Sequence, residues 1–264
     1  MKLNIVPART GVQWVKLGVR TFFQQPMALT GLFFMFIAVM TIVSMIPYIG
    51  SALVLGLLPA ATLGFMAATQ ETSKGKFPMP WILASALRAG RQESRAILIL
   101  GALYALSFLC IMGASALVDG GQFAKFYLDG GSITRETLNQ GDFQGAMWLA
   151  MGLNLPLSLL FWHAPALVHW HGIPPLKALF FSFVACVRNL GAYLVFGLIW
   201  FAVFMVVIVL TISAVTMIAS AEAAAAAVMP AAMLVMALFF TSLYFTFADS
   251  FIETPPEAAI EEIT

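Results

Sequence analysis

MALTGLFFMFIAVMTIVSMI, residues 27–46, contains no charged side chain, and after Pro47-Tyr48 a second such run follows, IGSALVLGLLPAATLGFMAAT, residues 49–69. About 20 helical residues at 1.5 Å each cross a hydrocarbon layer of ~30 Å, so each run is long enough to span a membrane. Proline disfavours a continuous helix and restricts the residue before it. A single bent helix over both runs is the competing interpretation, but it is far too long for one crossing. We therefore predict two spans joined by a tight turn.

Four further runs along the chain share this length and the absence of Asp, Glu, Lys and Arg. They are residues 96–118, 146–168, 191–215 and 223–248. Backbone polar groups in lipid must be satisfied within the protein, and these runs lack the alternation of β-barrel strands. The sequence predicts an all-α polytopic membrane helix bundle with about six transmembrane helices.

Composition supports this class and excludes others. The 264 residues are 61% hydrophobic and 9% charged, whereas roughly a quarter of an ordinary soluble domain is charged. The net charge of +1 indicates no nucleic-acid partner. The first long apolar run begins only at Met27, so we expect a retained anchor rather than a cleaved signal peptide.

The distribution of Lys and Arg predicts the orientation. With six spans, 11 of these residues flank the membrane on the side of the N-terminus, and only Lys125 and Arg135 lie on the other side. Basic residues near spans stay in the cytoplasm. We therefore expect a multi-pass membrane protein with both the N-terminus and the C-terminus cytoplasmic.

An amphipathic stretch precedes each successive pair of spans. The three stretches lie near residues 12–24, 82–95 and 176–188. In the first, the polar side is formed by Gln13, Lys16, Arg20 and Gln24. We interpret these stretches as elbow helices at the cytoplasmic surface. They suggest a single membrane domain, residues 1–250, with a three-fold internal repeat of units 10–69, 80–169 and 174–248. Residues 251–264 then form an acidic cytoplasmic tail.

Two groups of residues resemble a known family. The opening Val6-Pro7-Ala8-Arg9 is followed by Gly11, Trp14, Gly18, Phe22 and Pro26, and the junction before the fifth span contains Ala164-Pro165-Ala166-Leu167, Gly172, Lys177-Ala178-Leu179, Ser182 and Arg188-Asn189. This pattern resembles an uncharacterised family of proteobacterial six-span inner-membrane proteins. It is also similar to the membrane domain attached to some glycerophosphodiester phosphodiesterases. The resemblance implies a six-helix bundle in a bacterial inner membrane and carries no catalytic residues.

Arg88, Arg91 and Arg95 form the densest basic cluster together with Lys74 and Lys76. Anionic lipid headgroups are the expected partner of such a cluster, at about 1 kcal/mol per residue near the membrane surface. A simple role in determining topology is the alternative interpretation. We take Arg88, Arg91 and Arg95 as candidate lipid-headgroup contacts.

Asn154 and His163 are the candidate polar residues inside a span. Nine residues correspond to about 180° around a helix, so we expect them on opposite faces of one helix, each bonding a neighbouring helix. His163, His169 and His171 could suggest a metal site, but the spacing of His163 and His169 places them on different faces. Two Asp-Gly-Gly motifs, at 119–121 and 129–131, lack the calcium-loop pattern and indicate turns. We therefore expect no metal and no cofactor.

The spans contain no ionisable Asp, Glu, Lys or Arg, and the chain lacks P-loop, H-E-x-x-H and G-x-S-x-G motifs. Ion-coupled pumps and proton relays usually need such groups at depth, so the sequence disfavours an ion-coupled transporter or an intramembrane acid–base enzyme. We expect no enzymatic activity. The favoured hypothesis is a non-catalytic membrane factor that supports the envelope or a partner membrane protein through lipid-contacting elbows. The alternative is a carrier or channel for a lipid or small apolar solute without ion coupling.

Overall fold

The computed structural model describes residues 1–88, 90–130 and 133–252, and it confirms the all-α polytopic class. Within these residues, six helical segments are long and apolar enough to cross a membrane. They are Pro26–Ser44, Gly50–Ser73, Arg91–Asp119, Gly141–His171, Leu190–Thr216 and Ala221–Ser250. The helices extend beyond the runs without charged residues. Arg91 and Arg95 therefore lie in the first turns of the third spanning helix rather than before it.

The helices follow one another with short connections. In chain order they are α1 (Thr10–Gln24), α2 (Pro26–Ser44), α3 (Gly50–Ser73), α4 (Ser85–Arg88), α5 (Arg91–Asp119), α6 (Gln122–Asp129), α7 (Arg135–Leu138), α8 (Gly141–Phe161), α9 (Ala164–His171), α10 (Pro175–Arg188), α11 (Leu190–Thr216) and α12 (Ala221–Ser250). A 3₁₀ turn, Pro80–Ala84, precedes α4, and the short strands β1 (Lys2–Leu3) and β2 (Phe251–Ile252) pair antiparallel. The predicted turn between the first two spans is confirmed, with Tyr48 at φ 67°.

The chain divides into two compact units. The first comprises Met1–Phe36, Thr62–Ser85 and Val184–Thr264, of which the structure describes the residues up to Ile252. The second comprises Ile37–Ala61 and Ala86–Phe183. The three-fold repeat of hairpins stays a prediction. In the predicted acidic tail, Phe251 and Ile252 form β2, and residues 253–264 lie outside the described part of the chain.

In the first unit, α1 packs tightly against α11 and α12. Its polar side is exposed as predicted, but its buried side centres on Gly11, Trp14 and Gly18. A Cβ at Gly18 would lie 2.7 Å from the Cα of Ser242, and a Cβ at Gly11 would lie 2.8 Å from the backbone nitrogen of Phe196. Both glycines are therefore sites of close helix approach, which accounts for their place in the opening motif.

The N-terminal segment of the first unit is held by a network of hydrogen bonds. The Asn189 side chain accepts from the Val6 N–H at 2.8 Å and donates to the Asn4 carbonyl at 3.0 Å. The indole N–H of Trp14 donates to an Asp249 carboxylate oxygen at 2.7 Å. Both Trp14 and Asn189 are buried. Trp14 and Asn189 of the recognised motifs thus have structural partners.

In the second unit, α5 packs along α8 and also contacts α6 and α9. Its ring contacts join Tyr104 to Phe161 at 5.1 Å and Phe108 to Tyr127 at 5.5 Å. The fourth span is not one regular helix, because α8 ends at Phe161 and α9 begins at Ala164. Pro165 explains the break: it has no N–H, and its ring clashes with the carbonyl four residues earlier, that of Phe161.

Candidate functional site

The three candidate arginines lie on two elements of the second unit. Arg88 ends the four-residue α4, whereas Arg91 and Arg95 occupy the first turns of α5. Between them Gly90 has φ 124°, a backbone conformation that favours glycine. The expectation of a single amphipathic elbow over 82–95 is therefore wrong, because the glycine interrupts the helix.

A cleft of about 490 Å³ lies beside the start of α5. We call it the basic cleft. Its lining residues are Gly90, Arg91, Gln92, Glu93, Arg95, Ala96 and Ile99 from α5 and its approach, and Val168, Gly172, Ile173, Pro174 and Pro175 from the α9–α10 connection. The structure thus brings Arg91 and Arg95 together in one site and leaves Arg88 outside its lining.

Gly172 shapes the far wall of the basic cleft. It adopts φ 62° at the end of α9, and its N–H donates to the Val168 carbonyl at 3.1 Å. This left-handed glycine closes the helix, and Pro174 and Pro175 then cannot continue it. The connection therefore turns at a defined place opposite α5.

The three candidate arginines are open to a ligand. Arg88, Arg91 and Arg95 are exposed, and within residues 1–88, 90–130 and 133–252 none of their guanidinium groups forms a hydrogen bond or an ion pair. Glu93 is half-buried in the cleft wall and lies within electrostatic range of His169 on α9. Sequence reasoning missed this approach, because the two residues are 76 positions apart and only the packing of α5 on α9 joins them.

Asn154 lies in α8, half-buried, and its amide oxygen is enclosed without a hydrogen-bond partner among the described residues. His163 is fully buried at the start of α9. The predicted opposite placement assumed one continuous helix. The break after Phe161 removes that assumption, and neither residue lines the basic cleft.

Ser182 of α10 bridges the break in the fourth span. Its hydroxyl accepts from the His163 N–H at 2.9 Å and donates to the Leu159 carbonyl at 2.8 Å. In a continuous helix, the N–H of residue 163 would donate directly to the carbonyl of residue 159. The buried serine therefore replaces one helical hydrogen bond, a known cause of kinks. This gives the Ser182 of the recognised junction a structural role.

The metal interpretations gain no support from the described residues, among which no group of three or more His, Cys, Asp or Glu side chains comes together. The carboxylate of Asp119 is already engaged. It accepts from the N–H groups of Gly121 at 2.8 Å and Phe123 at 2.6 Å, and so begins α6. The first Asp-Gly-Gly motif is a turn, as expected, whereas Gly131 of the second lies outside the described residues.

Comparison with known proteins yields one informative relative. The chain is 42% identical over 205 residues to a protein of Burkholderia thailandensis that is named "Probable inner membrane protein", and the match covers 76% of each chain. No family model matches the chain, and no solved structure matches it either. The link to glycerophosphodiester phosphodiesterases therefore remains a resemblance.

Proposed function

Because the chain belongs to the family of this Burkholderia inner membrane protein, and because six apolar helices make it a multi-pass membrane protein, we propose that it is a non-catalytic factor of the inner membrane that engages phospholipid headgroups. The observation that carries the proposal is the pair Arg91 and Arg95 at the start of a span, exposed beside a cleft and without an ionic partner in the described chain.

The position of these arginines along α5 fits headgroup contact. Residues at the end of a spanning helix lie at the level of the lipid phosphates, and basic residues near an anionic surface contribute about 1 kcal/mol each. Guanidinium groups bind phosphate oxygens with two parallel hydrogen bonds. A lipid would therefore neutralise side chains that have no ionic partner among the described residues.

Orientation is part of the same proposal. With 11 of the 13 Lys and Arg residues on one side of a six-span arrangement, both termini are cytoplasmic and the basic cleft opens at the inner leaflet. The carrier or channel alternative would use Asn154 and His163. These residues lie apart from the basic cleft, so that alternative stays a separate prediction.

Lipid binding by the purified chain tests the proposed function. In detergent, we expect the double charge reversal R91E/R95E to weaken the binding of phospholipids by roughly tenfold or more, measured by native mass spectrometry. The matched control is K125E/R135E, which makes the same change in net charge at two exposed residues and should leave binding within about twofold. Equal binding by both variants would contradict the proposed function.

A further inference from the structure

The composition of the basic cleft points to a particular class of lipid. Resting on the proposed function and deepening it, we propose that the cleft receives one phospholipid whose headgroup carries both a phosphate and a primary ammonium group. The phosphate contacts Arg91 and Arg95, and the ammonium contacts Glu93.

The phosphate end of the proposed site follows from helical spacing. Arg91 and Arg95 are four residues apart, so they lie one above the other on a single face of α5, with Cβ atoms about 5–6 Å apart. Both line the same cleft. Two guanidinium groups at this separation can share the oxygens of one phosphodiester.

Glu93 distinguishes this cleft from a general anion site. Two arginines and one glutamate leave a formal charge of +1 in the lining. Glu93 is two residues from each arginine, about 200° around α5, so its carboxylate faces a different part of the cleft from the guanidinium groups. A headgroup with a phosphate alone would bring a second anion near Glu93 and no cation to pair with it. A phosphate joined to an ammonium brings an anion that the two arginines share and a cation that pairs with the Glu93 carboxylate.

The apolar part of the lining continues the site toward the hydrocarbon. Ile99 lies eight residues beyond Arg91 on the same spanning helix, which is about 12 Å deeper at 1.5 Å per residue. It is 42% exposed, and Val168 and Ile173 complete the apolar side of the cleft. A polar end at headgroup depth and an apolar end below it match a whole phospholipid rather than a free phosphate ester. The volume of about 490 Å³ falls within the ~300–1,000 Å³ typical of ligand sites.

The test compares headgroups on the full chain in detergent. Native mass spectrometry measures retention of phosphatidylethanolamine, phosphatidylglycerol and phosphatidylcholine with identical acyl chains, and inorganic phosphate is added as a competitor. For the unaltered chain we expect about fivefold tighter binding of phosphatidylethanolamine than of the other two lipids. Phosphatidylcholine keeps the positive charge but cannot donate a hydrogen bond to Glu93, so it separates charge from hydrogen bonding.

Two variants test which residues cause the preference for phosphatidylethanolamine. E93Q should lose the preference for phosphatidylethanolamine while still binding phospholipids, and R91Q/R95Q should weaken all three lipids. E136Q serves as the control for E93Q, because Glu136 is an exposed glutamate outside the cleft. Unchanged helical circular dichroism would show that each variant is folded.

The possible failures are distinguishable. Equal binding of all three lipids by the unaltered chain, or an undiminished preference in E93Q, would overturn the assignment of an ammonium-bearing headgroup and leave the proposed function standing. Displacement of every lipid by millimolar inorganic phosphate would overturn the lipid site in favour of a simple anion site. If R91Q/R95Q binds all lipids like the unaltered chain, the proposed function itself fails.

Discussion

Replacing Ser182 by alanine removes one hydroxyl that satisfies two backbone groups. The His163 N–H and the Leu159 carbonyl both depend on it, at 2.9 and 2.8 Å, and the site is buried. We expect S182A to lower the free energy of unfolding by about 1–3 kcal/mol, because two hydrogen bonds to a buried hydroxyl are lost. Unfolding in mixed micelles with increasing denaturing detergent measures the change.

The control for this prediction is S158A. Ser158 is an exposed serine of α8, so its replacement should change the free energy of unfolding by no more than about 0.5 kcal/mol. If S182A and S158A unfold alike, the bridge at the bend contributes nothing to stability.

Several single residues have structural roles that the sequence pattern does not predict. Pro165 in the window 146–168 carried the signal for the break in the fourth span, but nothing in local spacing identifies Ser182 as the group that bridges it. The density of positive charge in the sequence identified the arginine cluster. The division of the cluster between two helices was not predicted, because the helical spacing assumed one helix through Gly90. At φ 124° that glycine separates Arg88 from Arg91.

At the scale of elements, the crossing of α1 and α12 depends on Gly18. A Cβ there would lie 2.7 Å from the Cα of Ser242, closer than side chains can approach. We expect G18A to lower the free energy of unfolding by about 1–3 kcal/mol, because the methyl group forces the two helices apart. The same detergent titration measures this variant.

The matched control lies in α2 of the same unit. A Cβ at Gly31 would meet nothing within 4 Å, so G31A removes only the flexibility of glycine in a helix. That change should be neutral or stabilising by up to about 1 kcal/mol. Equal destabilisation by G18A and G31A would mean that the close approach at Gly18 is not what holds α1.

The spanning elements were predictable and their packing was not. Apolar runs identify the segments that belong in hydrocarbon, so all six were found with shifts at their ends. The apolar pattern predicts a buried face of Val12, Val15, Val19, Phe22 and Phe23 on α1. The structure buries Val15 and Phe22 of this set, exposes Phe23, and adds Gly11, Trp14 and Gly18 to the buried face. Glycine contributes little to an apolar pattern, and its use here is set by α11 and α12, more than 150 residues away.

At the scale of the whole molecule, the N-terminal segment contacts the last described residues through hydrogen bonds. Asn4 donates to the Asp249 carbonyl at 2.9 Å, and β1 pairs with β2. The beginning and the end of the described chain therefore lie on the same side of the membrane. An even number of spans requires this, and charge alone decides which side it is.

Reporter fusions test that choice of side. Lys125 and Arg135 are the only basic residues predicted on the far side, so we expect alkaline phosphatase, which is active only in the periplasm, to be active when inserted after Asn139 and inactive when fused at Thr264. Asn139 is exposed between α7 and α8, so an insertion there should not disturb packing. A fluorescent protein that folds only in the cytoplasm should give the reverse pattern, which excludes poor expression as the cause of a negative result.

Phosphatase activity at Thr264 would place the termini in the periplasm, because the enzyme is active only there. The basic cleft would then face the outer leaflet, and the distribution of basic residues would not govern the orientation of this chain.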